Sequence, residues 1–401
     1  MGLDTMAVRF HQEIIYIYLI CRVIDIFHRL LPIAAASHVR LVTLNRRGYS
    51  GSTPLTEKET EPDSRLVTSG EDVTPSTTTR SNRVISDHYT TFLQQRSAEL
   101  ARFLAWYIDQ EQIPLRSGNA GRASGGISLL GWSLGSVPTL SMLAFANTLD
   151  PGLVKKLEPY LRKVVVFGER MSLKYGGYET NSHSLDPSHQ TLGYPSPANY
   201  HHPLFDPNIP SEERQVKLAT WSSSYFIHSP SARDAATPVR DLMKGVLKQQ
   251  ETHPFKKPTV ANLTPADISA GVEVVSSGHA DLLSLGESAR TVHEVVRIRT
   301  LFGNFNETPE PPIFPKVDIS YIWGTESSWK AILGVRSLQQ DIASSPTYNS
   351  TRSIRFIPLE GANHFVSNKP VTIYIMLTIY SMKIFYDDPL KAFAAFAQAL
   401  E

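Results

Sequence analysis

Gly131-Trp132-Ser133-Leu134-Gly135 is the stretch in this 401-residue chain where residue types and spacing point to covalent chemistry. A serine hydroxyl is a weak nucleophile unless a neighbouring base takes its proton. A sharp strand-to-helix turn exposes such a serine, and the next backbone N–H, that of Leu134, then points to where an oxyanion would form. The turn brings strand and helix close together, so it needs small residues two before and two after the nucleophile. Gly131 and Gly135 supply them. The chemistry would be acyl transfer, with Ser133 as nucleophile and Leu134 as an oxyanion donor.

The flanking segments carry the expected patterns. Ile127 to Leu130 is a short apolar run, and Val137 to Ala146 is helix-like. Val39 to Leu44 reads as a buried strand, fed by a helix from Phe27 to Ala36 and followed by the Gly-rich turn Asn45-Arg46-Arg47-Gly48-Tyr49-Ser50-Gly51-Ser52. Pro54 to Val84 is polar and reads as a mobile surface loop with a solvated charged face. Ile85 to Gln112 has apolar residues at helical spacing, including Phe92, Leu100, Leu104 and Trp106. Further strands are read at Lys163 to Phe167, Lys316 to Trp323 and Ser353 to Pro358. Helices are read at Pro151 to Leu161, Trp329 to Ala343 and Asp388 to Leu400. Met171 to Pro315 breaks this alternation and is rich in Pro, His, Tyr and Ser, with helical pieces near Glu212–Tyr225, Val239–Gln250 and Ala289–Phe302.

With the Asn45–Ser52 turn, the Gly131–Gly135 motif and the loop Gly361-Ala362-Asn363-His364 quoted, the chain resembles the α/β-hydrolase-1 family, in its fungal large-lid serine esterase-like branch. The resemblance implies an α/β-hydrolase fold: a mostly parallel sheet flanked by helices, with a mainly helical lid inserted after the sixth strand of the family's count. The core would occupy 27–169 and 316–401, with 54–84 as the mobile loop and 170–315 as the lid. It also implies a triad in the chain order serine, acid, histidine. His364 would act as general base toward Ser133 and then as general acid toward the leaving group. The usual acid position, three residues after the glycine that ends the seventh strand, falls on Ser327, which cannot serve. Glu169, at the end of the sixth strand, is the preferred acid, and Glu326 is the alternative. Without a catalytic role, Glu169 would pair with Arg170 or Lys163, and Glu326 would be an exposed loop residue. Asp318 reads as structural.

Two stretches depart from the family pattern. Met1 to Ile26 is too short for the three strands that precede the first helix, and it has no His-Gly loop to donate the second oxyanion N–H. The first strands of the sheet therefore read as missing, and the oxyanion hole as half-built. Val366 to Phe385 interposes an Ile/Tyr/Met-rich run that resembles Ile14–Ile24; both read as candidates for retained unspliced sequence, with a genuine extra helix over the active-site mouth as the equal alternative for Val366–Phe385.

The composition is that of an ordinary globular protein, with 19% charged residues and a net charge of +1, which gives no reason to expect a nucleic-acid partner. The one cysteine excludes an internal disulfide and favours a cytoplasmic setting. Neither Ile14–Cys21 nor Val371–Phe385 reaches the ~20 apolar residues of a membrane span. No cofactor or metal pattern is read, and His201-His202 lacks partners at ligand spacing. The implied partner is a small-molecule carboxylic ester with an apolar part, because Tyr175, Tyr178, Trp221 and Tyr225 fall in the lid. The competing reading is an impaired α/β-hydrolase scaffold that binds without turnover.

Overall fold

The computed structural model describes residues 12–17, 30–44, 46–48, 51–60, 75–117, 124–132, 135–167, 189–195, 208–210, 213, 217, 220–234, 236–246, 251–262, 287–303, 312–344, 352–363, 394 and 398. Six strands form one parallel sheet: β1 (Gln12–Ile17), β2 (Val39–Leu44), β3 (Ile127–Trp132), β4 (Leu161–Phe167), β5 (Asp318–Gly324) and β6 (Ile354–Leu359). Their spatial order is β2-β1-β3-β4-β5-β6. One transverse row crosses the whole sheet, Leu44–Ile17–Gly131–Val166–Tyr321–Phe356, so the carboxyl ends of all six strands share one edge. β3 is buried along its whole length, as are the last four residues of β4, which is why these strands read as continuous apolar runs.

The helices of seven or more residues are, among the described residues, α1 (Leu30–Ala36), α2 (Pro75–Gln110), α3 (Ser136–Ala144), α4 (Pro151–Leu157), α5 (Val239–Val246), α6 (Glu287–Phe302) and α7 (Trp329–Ser344). Right-handed crossovers put α1, which leads from β1 to β2, on one face of the sheet. The later crossovers run the other way and put α2, α3 and α6 on the opposite face, where they pack on one another. This is the α/β class with a parallel sheet and flanking helices that the sequence indicates.

Five expectations are corrected. The segment Met1–Ile26 does hold a strand: β1 pairs in register with β2 on one side and β3 on the other, so it is an integral inner strand. It takes the place of the strand just before the first helix, so of the three strands read as missing this one is present, and no other is found among the described residues. Among the described residues, β2 is the edge strand on that side. Second, α2 starts at Pro75, so the loop read over 54–84 is helical from Pro75 on. Proline is well suited to a first helical position, and an existing helix extends at little cost.

Third, part of the charged face read over 54–84 is not merely solvated. The Glu59 carboxylate receives Arg47 at 2.7 Å and Arg96 at 2.8 Å, and Arg47 also reaches Glu99 at 2.8 Å. Burial pushes the Glu59 carboxyl up, but hydrogen bonds from Thr56, Arg96 and Arg47 outweigh it and hold the pKa at about 2. This network ties the Gly-rich turn after β2 to α2. Fourth, Trp106 is 56% exposed, while Leu104 and Ala105 beside it are buried.

The segment 170–315 also divides. From Glu287 on it is α6, whose Ala289, Val292, Val296, Leu301 and Phe302 belong to the main core. The Thr300 hydroxyl donates to Leu140 O at 3.0 Å, fastening α6 to α3. Arg352, 3% exposed, donates to the carbonyls of Thr300, Ile313, Phe314 and Val317, and so joins the end of α6 to the entry of β5. The insertion that departs from the sheet layers therefore ends before α6.

His293 lies between α6 and α2 at 1% exposure. Its Nδ1–H donates to Gln190 O at 3.1 Å, and its Nε2 accepts from the Tyr89 hydroxyl at 2.9 Å. This arrangement needs the neutral ring. Burial lowers the pKa to about 4, outweighing the Gln190 carbonyl, which raises it. An unfolded histidine titrates near ~6.5, so the unfolded chain binds the proton first as pH falls. Folding stability should drop between about pH 6.5 and 4, by up to about 3 kcal/mol from this group. Urea unfolding at stepped pH measures it, and His293→Gln should flatten the slope in that window.

Candidate active site at the carboxyl edge of the sheet

In this topology, strand connections run one way from β1 and the other way from β3. Open α/β sheets bind ligands at such a switch point, outside the carboxyl ends of the strands. Trp132, at the end of β3, leads into Ser133 there. Ser133 and Leu134 lie outside the described residues, but both flanks of the turn are described. A Cβ on Gly131 would come within 2.5 Å of Gly135 O and 2.6 Å of Ser136 Cα. Strand and helix start are thus in backbone contact across the motif, and only glycine fits at Gly131. The Thr139 hydroxyl donates to Gly135 O at 2.5 Å, and α3, buried throughout, starts immediately after Gly135.

A second close approach lies two strands away. A Cβ on Gly324 would meet Ala362 O at 2.5 Å and Asn363 O at 2.7 Å. The loop after β6 therefore folds back over the end of β5, toward β3. Glu326 N donates to Ala362 O at 2.8 Å, and Ala362 N donates to Leu359 O at 3.2 Å. His364 follows Asn363 directly and is outside the described residues. Glu169 is also outside them, two residues past the end of β4, the strand next to β3, with neighbouring strands about 4.8 Å apart.

Of the sequence-predicted site residues, Glu326 is the one described. It is not an exposed loop residue: its side chain is 16% exposed, and its carboxylate pairs with Lys256 Nζ at 2.5 Å. Lys256 also lies over the Tyr225 ring at 5.1 Å from its centroid. Around this pair, Phe226 N donates to Glu326 O at 2.9 Å, and the His228 Nε2–H donates to Ser327 O at 2.6 Å. Burial lowers the His228 pKa, which favours the neutral, donating ring. Residues 220–229 and 251–262 are joined by the Phe226–Thr252 bridge. Together they form a folded patch of the insertion docked on the turn after β5. Lys256 and His228 had no recognisable spacing to the motifs, and only the fold brings them there.

The aromatics that motivated an apolar substrate divide. Tyr175, Tyr178 and the pair His201-His202 lie outside the described residues. Tyr225 is 3% exposed, and Trp221 packs edge-on against Phe226 with ring centroids 5.8 Å apart. Tyr225 is committed to packing, and Trp221 is half-buried against Phe226. Among the described residues there is no cluster of His, Cys, Asp or Glu able to hold a metal ion, and no helix long and apolar enough to cross a membrane.

No family model matches the chain, and no curated protein matches it. Solved structures show similarity, among them the following three. One is a bromoperoxidase from Bacillus anthracis, at 12% identity over 88% of this chain and 85% of that one, with a TM-score of 0.29. Another is an extracellular α/β-hydrolase from a Paenibacillus species, described as sharing structural and functional homology with tobacco salicylic acid binding protein 2. It is 11% identical over 97% of this chain and 98% of that one, with a TM-score of 0.32. The third is a lipase in an open form, 11% identical over 97% and 89%, with a TM-score of 0.36. At these scores the likenesses carry no argument of their own. The fold is read from strand order, register and crossovers.

Proposed function

We propose that the protein is a serine hydrolase of the α/β-hydrolase type, acting on carboxylic esters of small molecules. The observation that carries the reading is the backbone contact of Gly131 with Gly135 and Ser136 at the switch point, the geometry a nucleophile turn requires. In this reading Ser133 Oγ attacks the ester carbonyl carbon and gives its proton to His364. The Leu134 N–H holds the oxyanion. The tetrahedral intermediate collapses to an acyl-serine, and His364 returns the proton to the departing alcohol. Water then attacks the acyl carbon, losing a proton to His364, and the carboxylic acid leaves as Ser133 recovers its hydrogen.

Glu169 is taken as the acid that orients His364, because the Glu326 carboxylate is engaged by Lys256. β1 stands beside β3 with Ile17 level with Gly131, so β1 ends beside the nucleophile turn, and in this reading the second N–H donor comes from the residues after Ile17, which lie outside the described ones. The insertion between β4 and β5 is read as a lid.

Hydrolysis of nitrophenyl esters from acetate to octanoate tests the reading. Expected is saturable turnover by the folded protein, with Ser133→Ala at background. A folded protein no faster than Ser133→Ala on every ester would favour the non-catalytic scaffold instead.

A further inference from the structure

We infer that Asn363 is a positioning residue: its carboxamide locks the loop that carries His364 onto the insertion between β4 and β5, so docking of the insertion sets where the base stands. The inference rests on His364 being the general base.

Asn363 is 1% exposed. Its Nδ2 donates to Ser223 O at 2.6 Å and to Thr259 Oγ1 at 3.0 Å. Thr259 N donates to the same Ser223 O at 2.9 Å, so the three residues close a small network. Ser223 is 0% and Thr259 2% exposed, so water does not compete for these bonds. The main chain beside Asn363 is held from the opposite side, because Ala362 is bonded to Leu359 and Glu326, and Gly324 leaves no space between them. The residue immediately before His364 thus has its backbone on the strand ends and its side chain on the insertion.

The second fastening is independent of Asn363. Lys256–Glu326, Phe226–Glu326 and His228–Ser327 attach the same patch of the insertion to the turn whose Glu326 N holds Ala362. Insertion, turn and base loop therefore form one hydrogen-bonded unit. A shift of the base by an ångström is enough to cost about 10²-fold in rate. Asn363 acts through His364 and the docked insertion, without contact with the substrate.

The test compares Asn363→Ala, Thr259→Val and the double variant with the wild type on a nitrophenyl ester, alongside Ser133→Ala. Thr259→Val removes one acceptor at a distance from the base and serves if Asn363→Ala does not fold. Expected is a kcat loss of about 10²-fold for Asn363→Ala with KM within about threefold, a smaller kcat loss for Thr259→Val, and no additional loss in the double variant. A merely structural role would lower activity only in proportion to the fraction unfolded, and that result overturns the inference. So does kcat within about twofold of wild type in both single variants. If wild type and Ser133→Ala coincide, the hydrolase reading itself fails and the inference falls with it. That outcome is distinct from active wild type with unaffected variants.

Discussion

Ser133→Ala and His364→Ala are each expected to lower kcat on a nitrophenyl ester by up to about 10⁶-fold, with the double variant no slower than either single one. The size follows from the division of labour. Without the serine no acyl-enzyme forms, and without the base the hydroxyl keeps its proton. Either loss removes the same covalent route, worth about 8 kcal/mol of barrier at 10⁶-fold. Residual turnover then comes from binding and the oxyanion donors alone. Additive losses would mean that the two residues act in separate steps, contrary to a shared proton transfer. The single variants should keep the wild-type melting behaviour, because the buried contacts around the motif run through Gly131, Gly135 and Ser136, which remain intact.

The second large effect separates the two glutamates. Glu169→Gln should lower kcat by about 10⁴-fold, the scale seen when the carboxylate that orients a catalytic imidazole is made neutral. Glu326→Gln should change kcat by less than about tenfold, since its carboxylate is held by Lys256. Its cost should appear in stability instead, at about 1–3 kcal/mol, below the range for breaking a fully buried ion pair because both side chains keep some solvent contact. Parallel kinetics and denaturant melts of the two variants measure this. The reverse pattern, with kcat lost in Glu326→Gln and kept in Glu169→Gln, would assign the acid to Glu326 and make the Lys256 pair a feature of the unliganded site.

Where the sequence was legible, local physics was enough. β3 and β4 are apolar runs because they are largely buried, and Gly131 announces its turn because any Cβ there would strike backbone. β1 was misread for a physical reason. Six residues, Gln12–Ile17, carry no local mark that separates an inner strand from a stray apolar run, and only pairing with Val39–Leu44 and Ile127–Gly131 makes them one. α6 was read as lid because the segment before it is compositionally unlike the core, yet Val292 and Val296, one helical turn apart, are buried in the core. The anchors Lys256, His228 and Asn363 were invisible for a third reason. Each bonds a residue distant in the chain, Glu326, Ser327 and Ser223 respectively, and no spacing rule encodes such pairs. The sequence named the candidate nucleophile and base from their motifs, but the elements that hold their surroundings emerge only from the fold.

Whether Ser133 is an activated nucleophile is decided by treating the folded protein with a fluorophosphonate and locating the adduct by peptide mass spectrometry. Expected are rapid, stoichiometric phosphonylation with loss of fluoride, the adduct on Ser133, and no labelling of Ser133→Ala or His364→Ala on the same timescale. Folded protein that does not react, or an adduct on another residue that persists in Ser133→Ala, would contradict it.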